Sequence, residues 1–154
     1  MSEPGQLVLP ESAFAPEPPT LRPVVTTIEI AHMDERGAIR NVIQDIRFQH
    51  IGVIHSVAGA LRGNHYHPDQ DQYIYVVQGR MFARAIHIVT EETVAYYVEE
   101  GQLEYMPPKW AHVYSFPLDT IFLNITPKGR RALGEEIEGV TVPFKVWEPP
   151  EPTE

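Results

Sequence analysis

Short β-branched and aromatic runs, cut every few residues by Gly, Pro, Asn or Asp, fill the middle of this chain and leave no stretch with helical periodicity and caps. VVTTIEI, DIRFQHIGVI, QYIYVVQG, RMFARAIHIV, TVAYYVEEG, LEYMPP, AHVYSF and TIFLNIT all read as strands. One segment, GRRALGEEIEG, suits either a helical turn or a loop before a C-terminal strand. Short strands at this spacing build a sandwich or a barrel. The prolines mark its limits. Six of the 15 fall within the first 23 residues, and Pro143, Pro149, Pro150 and Pro152 crowd the other end. Proline denies a helix its backbone donor, so both ends read as extended arms. The expected division is an N-terminal arm over 1–23, a barrel over 24–147 and a tail over 148–154.

Length and charge restrict the function. The 154 residues suit one domain with a sizeable core. Twelve Lys and Arg stand against 21 Asp and Glu, a net charge of −9 with no basic cluster, which argues against nucleic acid and anionic membranes as partners. The start MSEPGQLVLP is neither basic nor long and apolar, and no run approaches the roughly 18 apolar residues of a spanning helix, so a cytoplasmic location is expected. With no cysteine, any metal must be held by imidazole, carboxylate or amide.

That turns attention to the histidines. In GALRGNHYHPDQDQYIYVVQG, Gly59 to Gly79, His65 and His67 stand two residues apart. On a strand such residues share a face, so both can grip one ion while Tyr66 faces away. On the next strand Gln72 alternates with Ile74 and Val76, and if these face inward so does Gln72. In GQLEYMPPKWAHVYSF a Pro-Pro turn leads into a strand on which His112, Tyr114 and Phe116 share a face. This gives a third inward histidine and a candidate proton donor, Tyr114. Arg84 falls on one face with Phe82 and Ile86, implying either a polar cavity contact or a different facing of that strand. His32, His50, His55 and His87 are read as hydrogen-bonded core residues.

The spacing of Gly59, His65, His67 and Gly79 resembles the first cupin motif, with Gln72 at the place of its glutamate. Gly101, Pro107 and His112 match the second motif, with Lys109 replacing a glycine and Phe116 an asparagine. The resemblance implies an all-β, single-domain jelly-roll barrel, a double-stranded β-helix. It also implies one divalent transition metal, Zn, Fe, Mn, Ni or Cu, held by His65, His67, Gln72 and His112. Three neutral imidazoles and an amide leave the ion's charge intact, which favours an anionic ligand.

LRGNHYH, VVQGRMF and LEYMPPKWAHVYSF also resemble the dTDP-4-dehydrorhamnose 3,5-epimerases, over about Phe48 to Thr126. That likeness implies His65 as the base that removes a proton beside a sugar ketone and Arg62 as a contact to the nucleotide sugar. Two positions depart: Ile125 stands where that family has a tyrosine acid, and His67 where it has glutamine. The RGxHxH pattern followed by glutamine is similar to sugar 3,4-ketoisomerases, and RGNHYH to a metal-binding cupin domain of capsular-polysaccharide enzymes.

The expected function is therefore a metal-binding isomerase or epimerase acting through enolate chemistry on a carbohydrate-like or nucleotide-sugar substrate. Alternatives are a metal-free epimerase or ketoisomerase with His65 as base, a metal-dependent dioxygenase, and a non-catalytic small-ligand-binding cupin. A homodimer is expected, with Leu7, Val8, Leu9, Phe14 and Leu21 of the arm lying on the partner or covering its sheet edge.

Overall fold

The computed structural model describes residues 21–128 and 141–150. Leu7, Val8, Leu9 and Phe14, the segment GRRALGEEIEG and the last four residues lie outside them. In chain order the strands are β1 (Val24–Thr27), β2 (His32–Asp34), β3 (Gly37–Ile39), β4 (His50–Ser56), β5 (Leu61–Tyr66) and β6 (Gln72–Gln78). Then come β7 (Arg80–His87), β8 (Thr93–Glu99), β9 (Gln102–Met106), β10 (Trp110–Ser115), β11 (Thr120–Thr126) and β12 (Val142–Pro143). Among the described residues no helix is long and apolar enough to cross a membrane.

Two antiparallel sheets, ordered β1-β9-β6-β11-β4 and β12-β5-β10-β7-β8, face each other as a cupin jelly roll, and β2-β3 forms a separate hairpin. The core lies between them. Ile74, Val76 and Phe122 of the first sheet meet Met81, Ala83, Val98 and Tyr114 of the second. Burying a side chain of this size contributes about 1.5–3 kcal/mol, so this layer fixes which face of each strand turns inward.

The alternation of Gln72, Ile74 and Val76 reads correctly: all three are buried. On β7 the inward residues are Met81, Ala83, Ala85 and His87, so Phe82, Arg84 and Ile86 face outward. The Arg84 guanidinium sits on that outer face over the rings of Phe82 (4.6 Å) and Trp147 (4.1 Å). A cation on aromatic faces explains why both faces of this strand carry apolar residues. His87 is a packed histidine whose Nδ1 accepts from the Val89 and Thr90 amides. His32 and His55 depart from the core reading, because both are exposed. Two expected strands are shorter than their sequence runs. VVTTIEI pairs only as far as Thr27, and DIRFQHIGVI begins pairing at His50.

Candidate functional site

The site starts from an irregularity in β5. His112 pairs with His65 and Val113 with Gly63, which leaves Asn64 as an extra residue opposite β10, a β-bulge. Gly63 (φ +100°) and Asn64 (φ +55°) take up the left-handed backbone that the bulge demands. A Cβ on Gly63 would lie 2.7 Å from the His112 carbonyl oxygen, so only glycine allows the strands this close. The bulge also shifts the side-chain phase. Arg62 and His65, three residues apart, would face opposite ways on a regular strand, yet both border one cavity.

That cavity, of about 160 Å³, is lined by Arg62, His65, Gln72, Tyr114 and Asn124 with apolar residues between them. A larger cleft of about 320 Å³, between β7, β8 and the segment Phe144–Trp147, lies on the outer surface and includes none of the histidines. The inner cavity is therefore the candidate site despite its smaller volume.

The structure brings His65, His67 and His112 together, with one ring nitrogen from each lying within 4.8 Å of the others. The His112 Nδ1–H donates to the Trp110 carbonyl at 2.9 Å, which directs Nε2 into the cluster, where this buried atom has no hydrogen-bond partner. A backbone carbonyl fixing the tautomer of an imidazole is how metal-binding histidines are usually oriented. Burial pushes the His112 pKa well below the usual imidazole value; the neighbouring His65 and His67 push it the same way, and the Trp110 bond opposes. His112 is thus a neutral donor.

His67 follows β5 directly and is buried. It has a hydrogen bond from Nε2 to Gln72 Oε1 at 3.2 Å, and its Nδ1 meets Gln70 Nε2 at 3.3 Å and Thr141 Oγ1 at 3.2 Å. The Gln72 Nε2 donates to Asn124 Oδ1 at 3.0 Å, which leaves its oxygen turned toward the histidines. The donor set fits one divalent ion: three imidazoles with an amide oxygen beside them, and an unpartnered lone pair on His112.

Tyr114 adjoins His112, with ring centroids 5.2 Å apart. Its hydroxyl donates to Glu104 Oε2 at 2.7 Å, and Tyr96 donates to Oε1 of the same carboxyl at 2.6 Å. Glu104 is wholly buried, and burial raises its pKa to about 7 against the lowering effect of the two hydroxyls. Burial, then the charge of Glu104, keeps the Tyr114 phenol well above its ordinary value. Arg62 is held at the rim by Ser56 Oγ (2.6 Å) and the His55 carbonyl (3.1 Å). Ile125 lies on β11 next to Asn124 and offers no proton.

The family model for the polysaccharide biosynthesis C-terminal domain matches residues 32–116, over half of the chain and including all three clustered histidines. The chain belongs to this family. No curated protein matches it in sequence. Among solved structures, this family member is similar to dTDP-4-dehydrorhamnose 3,5-epimerase from Sulfolobus tokodaii (19% identity, 75% of this chain and 76% of that one, TM-score 0.63). It is also similar to the rmlC epimerase of Mycobacterium tuberculosis (18% identity, 75% and 68% covered, TM-score 0.63). A third is the capsular polysaccharide assembling protein CapF from Staphylococcus aureus (22% identity, 77% and 34% covered, TM-score 0.54). At these identities the likeness establishes the cupin fold.

Glu104, Asn124, Gln70, Thr141 and Asn64 complete the surroundings of the site, and none was singled out by sequence. The signal for Asn124 was available, since it alternates with Phe122 in TIFLNIT as Gln72 does with Ile74.

Proposed function

We propose that this family member is a metal-binding isomerase or epimerase acting on a carbohydrate-like, anionic substrate such as a nucleotide sugar. The observation that carries the reading is the convergence of three histidine nitrogens within 4.8 Å, one of them a buried, unpartnered Nε2, beside a cavity edged by Arg62 and Tyr114. His65, His67 and His112 would hold the ion, with the Gln72 amide oxygen as a fourth donor once it gives up its bond to His67. A bound divalent ion supplies Lewis acidity toward a substrate carbonyl, which makes the adjacent C–H acidic.

The chain's own residues account for the rest. The Arg62 guanidinium offers a planar fork to a phosphate or to the developing enolate oxygen. The C–H proton passes to the imidazole of His65, which borders the cavity and while protonated would leave the ion to His67, His112 and Gln72. Tyr114, kept protonated by its surroundings, is the candidate to return a proton to the opposite face of the carbon. At rest its hydroxyl donates to the shared carboxyl of Glu104, and it turns from that bond to deliver its proton, with the Glu104 carboxyl beside it to supply the replacement. The sugar class of the substrate rests on the family and on the epimerase names of the similar structures.

Metal content of untagged protein tests the reading: about one divalent ion per chain, lost in His67→Ala, supports it. A second reading keeps the substrate class and removes the metal. It is favoured by the position of His65, which borders the cavity next to Arg62 and can serve as base itself. Sugar-epimerising or ketoisomerising activity that survives complete chelation selects this second reading.

A further inference from the structure

Arg80, Tyr97, Phe82, Arg84 and Trp147 form one continuous stack on the outer face of the β12-β5-β10-β7-β8 sheet. The Arg80 guanidinium lies 4.0 Å from the Tyr97 ring centroid, and the Tyr97 and Phe82 centroids are 4.7 Å apart. Arg84 follows, 4.6 Å from Phe82 and 4.1 Å from Trp147. The two arginines differ in one respect. Arg80 is completed by a carboxylate, because its cross-strand partner on β8 is Glu99, whose Oε1 meets Nε at 2.8 Å and Nη2 at 2.7 Å. Arg84 has Ala95 and Val113 as its cross-strand partners. Among the described residues no ion pair includes Arg84, and its buried Nη1 has no hydrogen-bond partner. Aromatic rings hold a guanidinium by its faces and leave the N–H edge unused, and a desolvated donor on a charged group is costly to leave unpaired.

We infer that the outer cleft beside Arg84 binds a small organic carboxylate, whose head takes at Arg84 the place that Glu99 takes at Arg80. The cleft, of about 320 Å³, is lined by Arg84 and Lys145 together with Ile86, Val94, Phe144 and Val146. Among the described residues no Asp or Glu lines it, and the Glu148 that pairs with Lys145 stands outside it. On a chain of net charge −9 such a spot selects anions locally. The planar fork of Arg84 matches a carboxylate, and the aliphatic residues and Phe144 offer an apolar surface to the rest of the ligand. The volume is at the low end for small-molecule sites, which limits the body to a single ring or a short chain.

One wall of the cleft is already fastened. The Phe144 amide donates to the Asn64 carbonyl at 2.9 Å, and the Val146 and Trp147 amides donate to Asn64 Oδ1 at 2.9 and 3.1 Å. A ligand that enters a prepared cleft has little chain to order, which keeps the cost of binding low. No histidine takes part, so this site stands or falls independently of the proposed function.

The test is titration of the nitrogen-15-labelled full chain with sodium benzoate, followed by NMR on the indole N–H signals of Trp147, which lines the cleft, and Trp110, which does not. Trp147→Phe assigns the pair. The expected result is a saturable displacement of the Trp147 signal alone, with a Kd on the order of 1 mM for a ligand of about nine heavy atoms. Neutral benzyl alcohol should bind at least ~10-fold more weakly, and Arg84→Gln should lose benzoate affinity by at least ~10-fold with unchanged circular dichroism. Ala95→Glu sets a carboxylate across from Arg84 as Glu99 lies across from Arg80, so it should raise the thermal transition and abolish benzoate binding together. Should Arg84→Gln misfold, Ala95→Glu decides. A Trp147 signal that does not move at ten times that concentration overturns the inference. Equal affinity for benzyl alcohol, or benzoate binding retained in folded Arg84→Gln or Ala95→Glu, overturns it as well.

Discussion

His65 and His112 form a cross-strand pair between β5 and β10, with ring centroids 4.9 Å apart and planes at 87°. Rings set edge to face do not stack, and so their nitrogens can point at a common centre. Replacing His112 by Gln preserves bulk but removes a neutral imidazole donor. Zinc affinity, measured by competition with a chelating dye, is expected to fall at least ~100-fold while the thermal transition persists. An unchanged affinity would remove His112 from the ligand set.

Gln72 stands between His67 and Asn124, accepting from one and donating to the other. In Gln72→Glu the new carboxylate adds a hard anionic ligand, and Asn124 turns its amide to donate. Metal affinity should rise and the ion should polarise an anionic substrate less. In a metal-free site the same charge raises the pKa values of the adjacent histidines, moving the activity profile toward alkaline pH. Titration of metal affinity together with a pH–rate profile separates the two.

Glu104 makes stability depend on pH in a defined direction. Its pKa rises from 4.5 to about 7 on folding, so the folded state holds an extra proton between those values. The stabilisation is complete below pH 4.5 and is lost as pH rises through about 7, on the order of 3 kcal/mol. His112 acts oppositely: lowered below 6.5, it leaves the unfolded chain to bind the extra proton, so its contribution grows with pH up to that value. Urea unfolding of Glu104→Gln against wild type isolates the carboxyl. The variant should gain relative stability as pH rises from 5 to 8, and a constant difference would contradict a buried ionising group.

Lys109 occupies the left-handed region at φ +66°, where the cupin pattern has glycine. Its amide donates to the His67 carbonyl at 2.8 Å and its carbonyl accepts from Ile88 at 3.0 Å, bonds that any residue keeps if the backbone stays put. Lys109→Gly removes the Cβ penalty and is expected to stabilise the fold by about 0.5–1 kcal/mol in denaturant unfolding, after the entropy that glycine adds to the unfolded chain. A loss of stability instead would reveal a favourable role for the lysine side chain.

What the sequence makes legible is what alternation and spacing encode. Gln72, Ile74 and Val76 declare their face because apolar neighbours share it, and HxH places two imidazoles together whatever the surrounding fold. Glu104 is hidden by the same rule. In QLEYM the apolar Leu103 and Tyr105 suggest an inward face, yet they lie on the outer one, and Glu104 and Met106 are buried instead. A sheet apolar on both faces defeats a reading that assumes water on one side. Asn64 looks like a turn residue; its role depends on partners far along the chain.

Asn64 accepts from the Val146 and Trp147 amides and donates to the Trp147 carbonyl, a contact spanning 83 residues. This ties the order of folding to function. The strand that carries His65 is synthesised first, but the bulge that aims it is secured by residues made more than 80 positions later. Loop closure over that distance makes it a late event, and slow relative to hairpin formation. While the chain is still emerging, β7 and β8 can already pair as a hairpin, but the His65 bulge still lacks its fastening. On the metal-binding reading proposed above, an ion arriving at that stage would meet unfixed imidazoles, so loading would await the synthesis of Val146 and Trp147.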